Sequence, residues 1–480
     1  MQLIKYNYEQ HIAILRFWVH IALFTILLNL SVGCTKLVKI PEPLNTITTT
    51  ETFSNAATAN SAIVAIYENM SFGDFASGFT TISAGMSADE LIQFGNPANR
   101  FFANTLVANG GDSDPFWSAP YFNIYQASAI IEGVQASKTL SEGTKTALTG
   151  EAEFLRAFCY FYLVNFYGNL PLVLTTSYAE NSLLPRTPKA QVYQQMISDL
   201  KYAQTSLAAD YSISNGERTR ANAWAATALL ARVYLYTGAW DSAVVQATAV
   251  INNASLFGLD SLNNVFLKNS SEAILQLFQT YNSGSNSYST AEGYNFIPYD
   301  STSSPNYYLT PQLLAAFEQG DARRVNWVDS SDYNDGTTST YYYYPFKYKV
   351  ATTTANSITE YPMVLRLAEQ YLIRAEAEAE LGGGQIPLAI ADLNIIRARA
   401  DLPGYAGGQD PVSVLNAIYH ERQVELFAEF GHRWFDLIRT NRADSVLAPI
   451  KPQWKPTAIL YPIPFSETQT DPNLTQNPGY

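Results

Sequence analysis

The sequence predicts a mainly α protein built from paired helices, with one loop-rich stretch carrying a small β-hairpin. Three observations carry that expectation. Apolar residues recur at helical spacing over most of the chain after residue 52. Several of these runs stop at glycine and resume in an alanine-containing partner run. Residues 280–361 abandon the pattern for Ser, Thr, Asn, Gly and Tyr. A chain of 480 residues can bury a large core without disulfide staples. Its 47% hydrophobic and 15% charged content excludes wholesale disorder. Twenty-nine basic residues against 42 acidic ones leave a formal charge of −13, which argues against nucleic acid as a partner, because phosphate binding needs a basic footprint. The 32 tyrosines outnumber the other aromatic types and suit surfaces that bind polar ligands, since each joins an apolar ring to a hydroxyl.

The elements follow in chain order. Phe17 to Leu30 is almost wholly apolar and follows the basic residues Lys5 and Arg16. About 14 residues are short for a membrane span and suit the hydrophobic region of a signal peptide. Ser31-Val32-Gly33-Cys34 comes next and is similar to a bacterial lipobox, with Ser31 where a Leu is usual. Residues 1–33 are therefore expected to be a lipoprotein signal peptide, with Cys34 carrying the lipid; an uncleaved signal anchor is the alternative. Acylation leaves Cys159 without a disulfide partner, and its place in a helical apolar run (153–168) predicts a buried small hydrophobe. Residues 35–52 read as an extended tether.

Leu230 to Ala243 has the spacing of a tetratricopeptide helix pair: Ala231 and Ala243 allow close approach, Gly238 ends the first helix, and Trp240 wedges the turn. A looser copy runs from Tyr371 to a stop at Gly382–Gly384, then from Pro387 to Arg399. A third pair is expected at 151–167 and 191–207. In the loop-rich stretch, Asp335-Gly336 is read as a two-residue type I′ turn, with Asn334 opposite Thr337. That register sets Tyr344 opposite Trp327 and Tyr342 opposite Asp329. Trp327, Tyr342 and Tyr344 then share one face, with Val328, Tyr341 and Tyr343 on the other. One face is expected to pack on the helices and the other to offer an aromatic shelf for a sugar ring.

Catalytic motifs are scarce. Beyond the signal segment only His420 and His432 remain, and Val424 stands where a zinc helix would need its second histidine. There is no G-x-S-x-G elbow. Gly382–Gly384 and the glycines of 404–408 lack the context of a phosphate loop, and Asp112, Asp114 and the aspartates of 329–335 do not fit an EF-hand. No metal and no cofactor are expected. A glycosidase using two carboxylates stays open, because such a pair can come from any positions. Glu421 and Glu425 share a helix face, and with Arg422, Arg433 and Arg439 nearby, internal ion pairing is the simplest account of them.

The block Glu421–Thr440 (ERQVELFAEFGHRWFDLIRT) closely resembles the hallmark of the SusD/RagB family of outer-membrane nutrient-binding lipoproteins. The resemblance extends to the lipobox, to Leu155-Arg156-Ala157-Phe158 with Phe166–Leu172, to Phe317–Arg324, to Leu365–Ala377, and to Tyr461–Pro464 with Gln476–Tyr480. It implies a helical scaffold of tetratricopeptide-like pairs in two regions, 34–270 and 271–480, the second with ligand-loop insertions. It implies a protein without chemistry of its own, lipid-anchored and surface-exposed on the outer membrane. Such a protein passes an oligosaccharide, or in some members a peptide, to a TonB-dependent transporter of the SusC type. It also directs attention to Phe94, Asn96, Phe101, Tyr294 and Tyr299 as ligand-loop residues beside the hairpin's Trp327, Tyr342 and Tyr344. A secreted glycan hydrolase and a scaffold for protein contacts are the readings from other classes. Thr35-Lys36-Leu37 departs from the acidic stretch linked to surface export.

Overall fold

The computed structural model describes residues 11–23, 25, 48–72, 75–76, 78–282 and 284–480. It divides into two units, Met1–Thr49 and Thr50–Tyr480. In the first, residues 11–23 are helical. No helix among the described residues is long and apolar enough to cross a membrane. Cys34 and the end of the expected signal peptide lie outside the described residues.

The second unit is built mainly of helices. Those of eight residues or more among the described residues are α1 (Ala56–Phe72), α2 (Gly78–Ser87), α3 (Pro115–Ala136), α4 (Glu142–Tyr167), α5 (Lys189–Ser206), α6 (Ala223–Tyr236), α7 (Trp240–Ile251), α8 (Leu367–Leu381), α9 (Ile386–Arg399), α10 (Pro411–Glu425) and α11 (His432–Arg439). Each of α3 to α9 packs on the next, so the three expected helix pairs join into one stack. The joint between α7 and α8 spans the whole loop-rich stretch in sequence, and local periodicity gave no sign of it.

Local chemistry sets the helix ends. The Asn222 side chain accepts the backbone N–H groups of Trp224 and Ala225 and starts α6. Gly238 then turns the chain at φ +70°, where the Trp240 indole lies 3.6 Å from the position a Cβ would take. Ala231 and Ala243 are fully buried, which lets α6 and α7 approach closely. Gly382, at φ +68°, stops α8 in the same way. Cys159 is buried, and that burial pushes its thiol pKa up.

The core is strongly aromatic along α4. Phe166 stacks on Tyr461 at 4.7 Å, and the Tyr461 backbone N–H donates to the Phe166 carbonyl at 2.8 Å. The Asn477 amide donates to the carbonyls of Tyr167 and Tyr461. The proline-punctuated tail is therefore held by side chains that satisfy backbone groups no regular element reaches.

Among the described residues, three two-stranded antiparallel sheets interrupt the helices: β1 (Leu91–Gln93) with β3 (Tyr307–Leu309), β2 (Ala273–Gln276) with β6 (Met363–Arg366), and β4 (Val328–Asn334) with β5 (Ser339–Pro345). The last is the expected hairpin. Its register is Val328 with Pro345 through Asn334 with Ser339, so the loop has four residues, 335–338, and not two. The Asp335 carboxylate accepts from Thr337 N (2.8 Å), Thr337 Oγ1 (2.6 Å) and Thr338 N (2.9 Å), and Asn334 Oδ1 accepts from Gly336 N (2.7 Å). These side-chain caps stabilise the wider turn over the tight one. Tyr342 consequently faces Ser331, and Tyr344 faces Asp329. The slip is two residues, an even number, so Tyr342 and Tyr344 still share one face and Tyr341 and Tyr343 the other, while Trp327 lies outside β4.

Candidate functional site

The legs of the hairpin are clamped at their base by a buried lattice of charges. Arg323 precedes β4; its guanidinium donates twice to Asp321 (2.9 Å each) and reaches Glu421 (2.6 Å) and Glu425 (3.0 Å). Arg366, at the end of β6, contacts Glu272 (2.8 Å), Glu425 (2.6 Å) and Glu429 (2.8 Å). Arg399 reaches Glu272 at 2.6 Å and also Glu425. Lys347, just after β5, donates to the Glu425 carbonyl at 2.8 Å and to the Glu429 carboxylate. Burial pushes the Glu425 carboxyl up, but Arg399, Arg366 and Arg323 outweigh it and hold the group well below the usual range. Burial lowers Lys347 to about 8 even against Glu429.

The hallmark block is thus a structural device. The expected ion pairing of Glu421 and Glu425 is present, but their arginines come from distant segments. Arg422 and Arg439 share Asp436, and Arg433 pairs with Asp89. Glu421 and Glu425 are both fully buried, so neither faces a substrate.

Trp327 belongs to this lattice and not to a ligand shelf. It ends the short helix Ala322–Asn326, is fully buried, and donates its indole N–H to the Leu262 carbonyl at 2.8 Å. Lys347 Nζ lies 4.6 Å from its ring centroid. The expectation of an exposed Trp327 is corrected on these grounds: among close cations, the ring's negative face is worth more buried than in water. Tyr344 is also buried, with its hydroxyl on Asp329 (3.2 Å). Phe101 is buried too, because Asn99 caps the helix Arg100–Ala103 and turns the ring towards Tyr461 (5.7 Å) and Phe116 (6.1 Å).

Tyr342 alone of the hairpin trio reaches the surface, and it does so inside a cluster. Its ring lies 4.9 Å from Tyr308, 5.2 Å from Phe94 and 6.3 Å from Tyr333, and Phe94 meets Tyr333 at 5.3 Å. All four rings are half-buried. Backbone pairing assembles them. Ile92 opposes Tyr308, Phe94 N donates to Asn306 O (2.9 Å), and Asp332 N donates to Ser301 O (2.8 Å). Asn96 is exposed on the adjoining turn and donates to Gln93 Oε1 at 3.3 Å. Tyr294 and Tyr299 are exposed, and neither has a ring contact with the cluster among the described residues.

Two cluster members escaped sequence reasoning. Tyr333 shares the parity of Asp329 and Ser331 and lies diagonal to Tyr342, so strand alternation carried its signal. Tyr308 had none, since its neighbour Ile92 is more than two hundred residues away. The half-exposed rings can stack on the apolar face of a ring-shaped polar ligand while their hydroxyls and the amides of Gln93, Asn96 and Asn99 meet its rim. Among the described residues, no group of three or more His, Cys, Asp or Glu side chains is placed to hold a metal.

Comparison with known proteins places these features in a family. A family model described as the SusD family matches residues 278–480, and one described as starch-binding associating with outer membrane matches residues 44–235. SusD-like protein P2 of Formosa agariphila is 27% identical over 511 aligned residues, covering 95% of this chain and 99% of its own. SusD-like protein P25 of the same organism is 27% identical over 84% of this chain and 86% of its own. Among solved structures, a SusD superfamily protein of Bacteroides vulgatus superposes with a TM-score of 0.77 at 20% identity, over 89% of this chain and all (100%) of that one. A laminarin-binding SusD-like protein gives 0.74 at 25% identity, over 88% and 99%. The stacked helix pairs, the lattice behind the hallmark block and these full-length likenesses lead to one conclusion: the chain belongs to the SusD/RagB family.

Proposed function

We infer that this protein binds an oligosaccharide on the outer face of a bacterial outer membrane and hands it to a TonB-dependent transporter of the SusC type, without changing it chemically. The observation that carries this reading is the surface cluster of Phe94, Tyr308, Tyr333 and Tyr342. Four half-buried rings where the β1–β3 ladder meets the β4–β5 hairpin form a preorganised platform, so a ligand need not order them on binding. The likeness to a laminarin-binding protein supports a glycan ligand. The match to a family described as associating with the outer membrane supports the location. Cys34 is the proposed lipid anchor, and Asn96, Tyr294 and Tyr299 are proposed to line the approach to the cluster. Titration of the full-length protein with a panel of soluble oligosaccharides tests the reading. At least one glycan binds without being cleaved, and Tyr342→Ala weakens it. Products of hydrolysis in the mixture, abolished by one Asp or Glu substitution, would sink it. Cys34→Ala is expected to leave the membrane fraction or to stay uncleaved, and an intact Met1 on native protein would refute the anchor.

A further inference from the structure

A second cleft, of about 430 Å³, opens between α1, the loop 213–220 and the segment that continues β2 through residues 278–280. Its walls combine two chemistries. Phe278 is 44% exposed, although every other residue from Glu272 to Gln279 is buried. Its ring rests on buried Tyr361, with centroids 5.5 Å apart, so it is fixed in place. Val64 and Ile213, 43% and 45% exposed, complete an apolar rim.

The polar groups lie deeper. Thr280 Oγ1 is buried and has no hydrogen-bond partner. Such an orphan is costly unless a ligand or solvent molecule reaches it. Asn60 uses its oxygen to accept from Arg220 Nη1 at 2.8 Å, which leaves its amide N–H groups for the cleft. Arg220 itself is neutralised by Glu151 through Nε (2.9 Å) and Nη2 (2.5 Å). The exposed Glu68 carboxylate is therefore the unpaired charge on the lining, and it repels anions while accepting hydrogen bonds from hydroxyls. A fixed exposed ring, an apolar rim and a floor of donors and acceptors fit a flat ligand with one apolar face and hydroxyls around its edge. The volume is at the lower end of small-ligand sites, which run to about 300–1,000 Å³.

We propose that this cleft is a second saccharide subsite, selective for neutral sugars, with Phe278 as its stacking platform, Asn60 and Thr280 as its hydrogen-bonding floor and the exposed Glu68 carboxylate as a further acceptor. The proposal rests on the reading of the protein as a glycan binder but uses none of the residues of the Tyr342 cluster.

The test uses the full-length protein and saturation-transfer NMR with maltohexaose, laminarihexaose, mannohexaose and xylohexaose, and with hexagalacturonate as the anionic control. In the Phe94→Ala/Tyr342→Ala variant, at least one neutral hexasaccharide is expected to keep its signal. Adding Phe278→Ala is expected to lower that residual affinity at least tenfold, and Thr280→Val severalfold, with the melting curve checked for each. Silence of all four neutral sugars on the Phe94/Tyr342 variant overturns the cleft. So does a signal that survives Phe278→Ala, or one given by hexagalacturonate alone. Equal binding by the wild type and the Phe94/Tyr342 variant would instead refute the cluster and leave the cleft standing, so the two failures are distinguishable.

Discussion

The base and the outer half of the β4–β5 hairpin are built on opposite principles. At the base, Arg323, Lys347, Arg366 and Arg399 are buried against Glu421, Glu425 and Glu429, and every long side chain is fixed by two or more partners. Farther out, Tyr333 and Tyr342 meet Phe94 and Tyr308 with their rings half in water. Buried charges carry a large desolvation cost that only close pairing offsets, so each of these side chains is tied to its partners. Half-exposed rings carry little such penalty and leave their faces available. The charge lattice built on the block Glu421–Thr440 thus holds the hairpin in place, whereas the surface cluster at its outer half is made of residues that lie outside any motif.

Glu425→Ala should give the largest effect. It leaves three guanidinium groups short of a partner, and a loss of about 3–5 kcal/mol in urea unfolding is expected. A small change would break the contrast between a stiff base and a free surface. Trp327→Ala should also cost about 3–5 kcal/mol, as for other buried aromatic truncations. If it instead altered glycan affinity with the melting temperature unchanged, Trp327 would belong to the ligand and not to the lattice.

A pH effect sharpens the same boundary. Glu90 sits between the lattice and β1; its Oε1 is buried and unpartnered, and burial with neighbouring Asp89 pushes its pKa to about 8, against the opposing pull of Arg433 and Lys347. Because the folded pKa lies above the unfolded value of 4.5, the protonated group stabilises the fold at low pH. That contribution is lost as pH rises through about 8. The melting temperature should therefore fall between about pH 5 and 8, and Glu90→Gln should flatten the slope. Glu425, held low, acts in the opposite sense and loses its contribution as pH falls through its folded value. The smallest change in stability is expected for Tyr342→Ala, which should weaken glycan binding by about tenfold, or about 1.4 kcal/mol, and move the melting temperature little.

The sequence by itself determined the helix pairs, because glycine stops, alanine contacts and caps such as Asn222 act within a few residues of each other. It determined the hairpin's existence and which tyrosines of β5 share a face, since alternation is local. It also determined that Glu421 and Glu425 would be paired inside the protein, because two carboxylates one turn apart need cations. Tertiary structure decided which cations. Arg323, Arg366 and Arg399 lie 26 to 102 residues from Glu425, and no spacing rule links them. It decided that Trp327, Tyr344 and Phe101 would be buried and that Tyr342 would surface beside Phe94 and Tyr308. Whether an aromatic ring faces solvent depends on what packs over it, and here those neighbours are brought in by chain segments far apart in sequence.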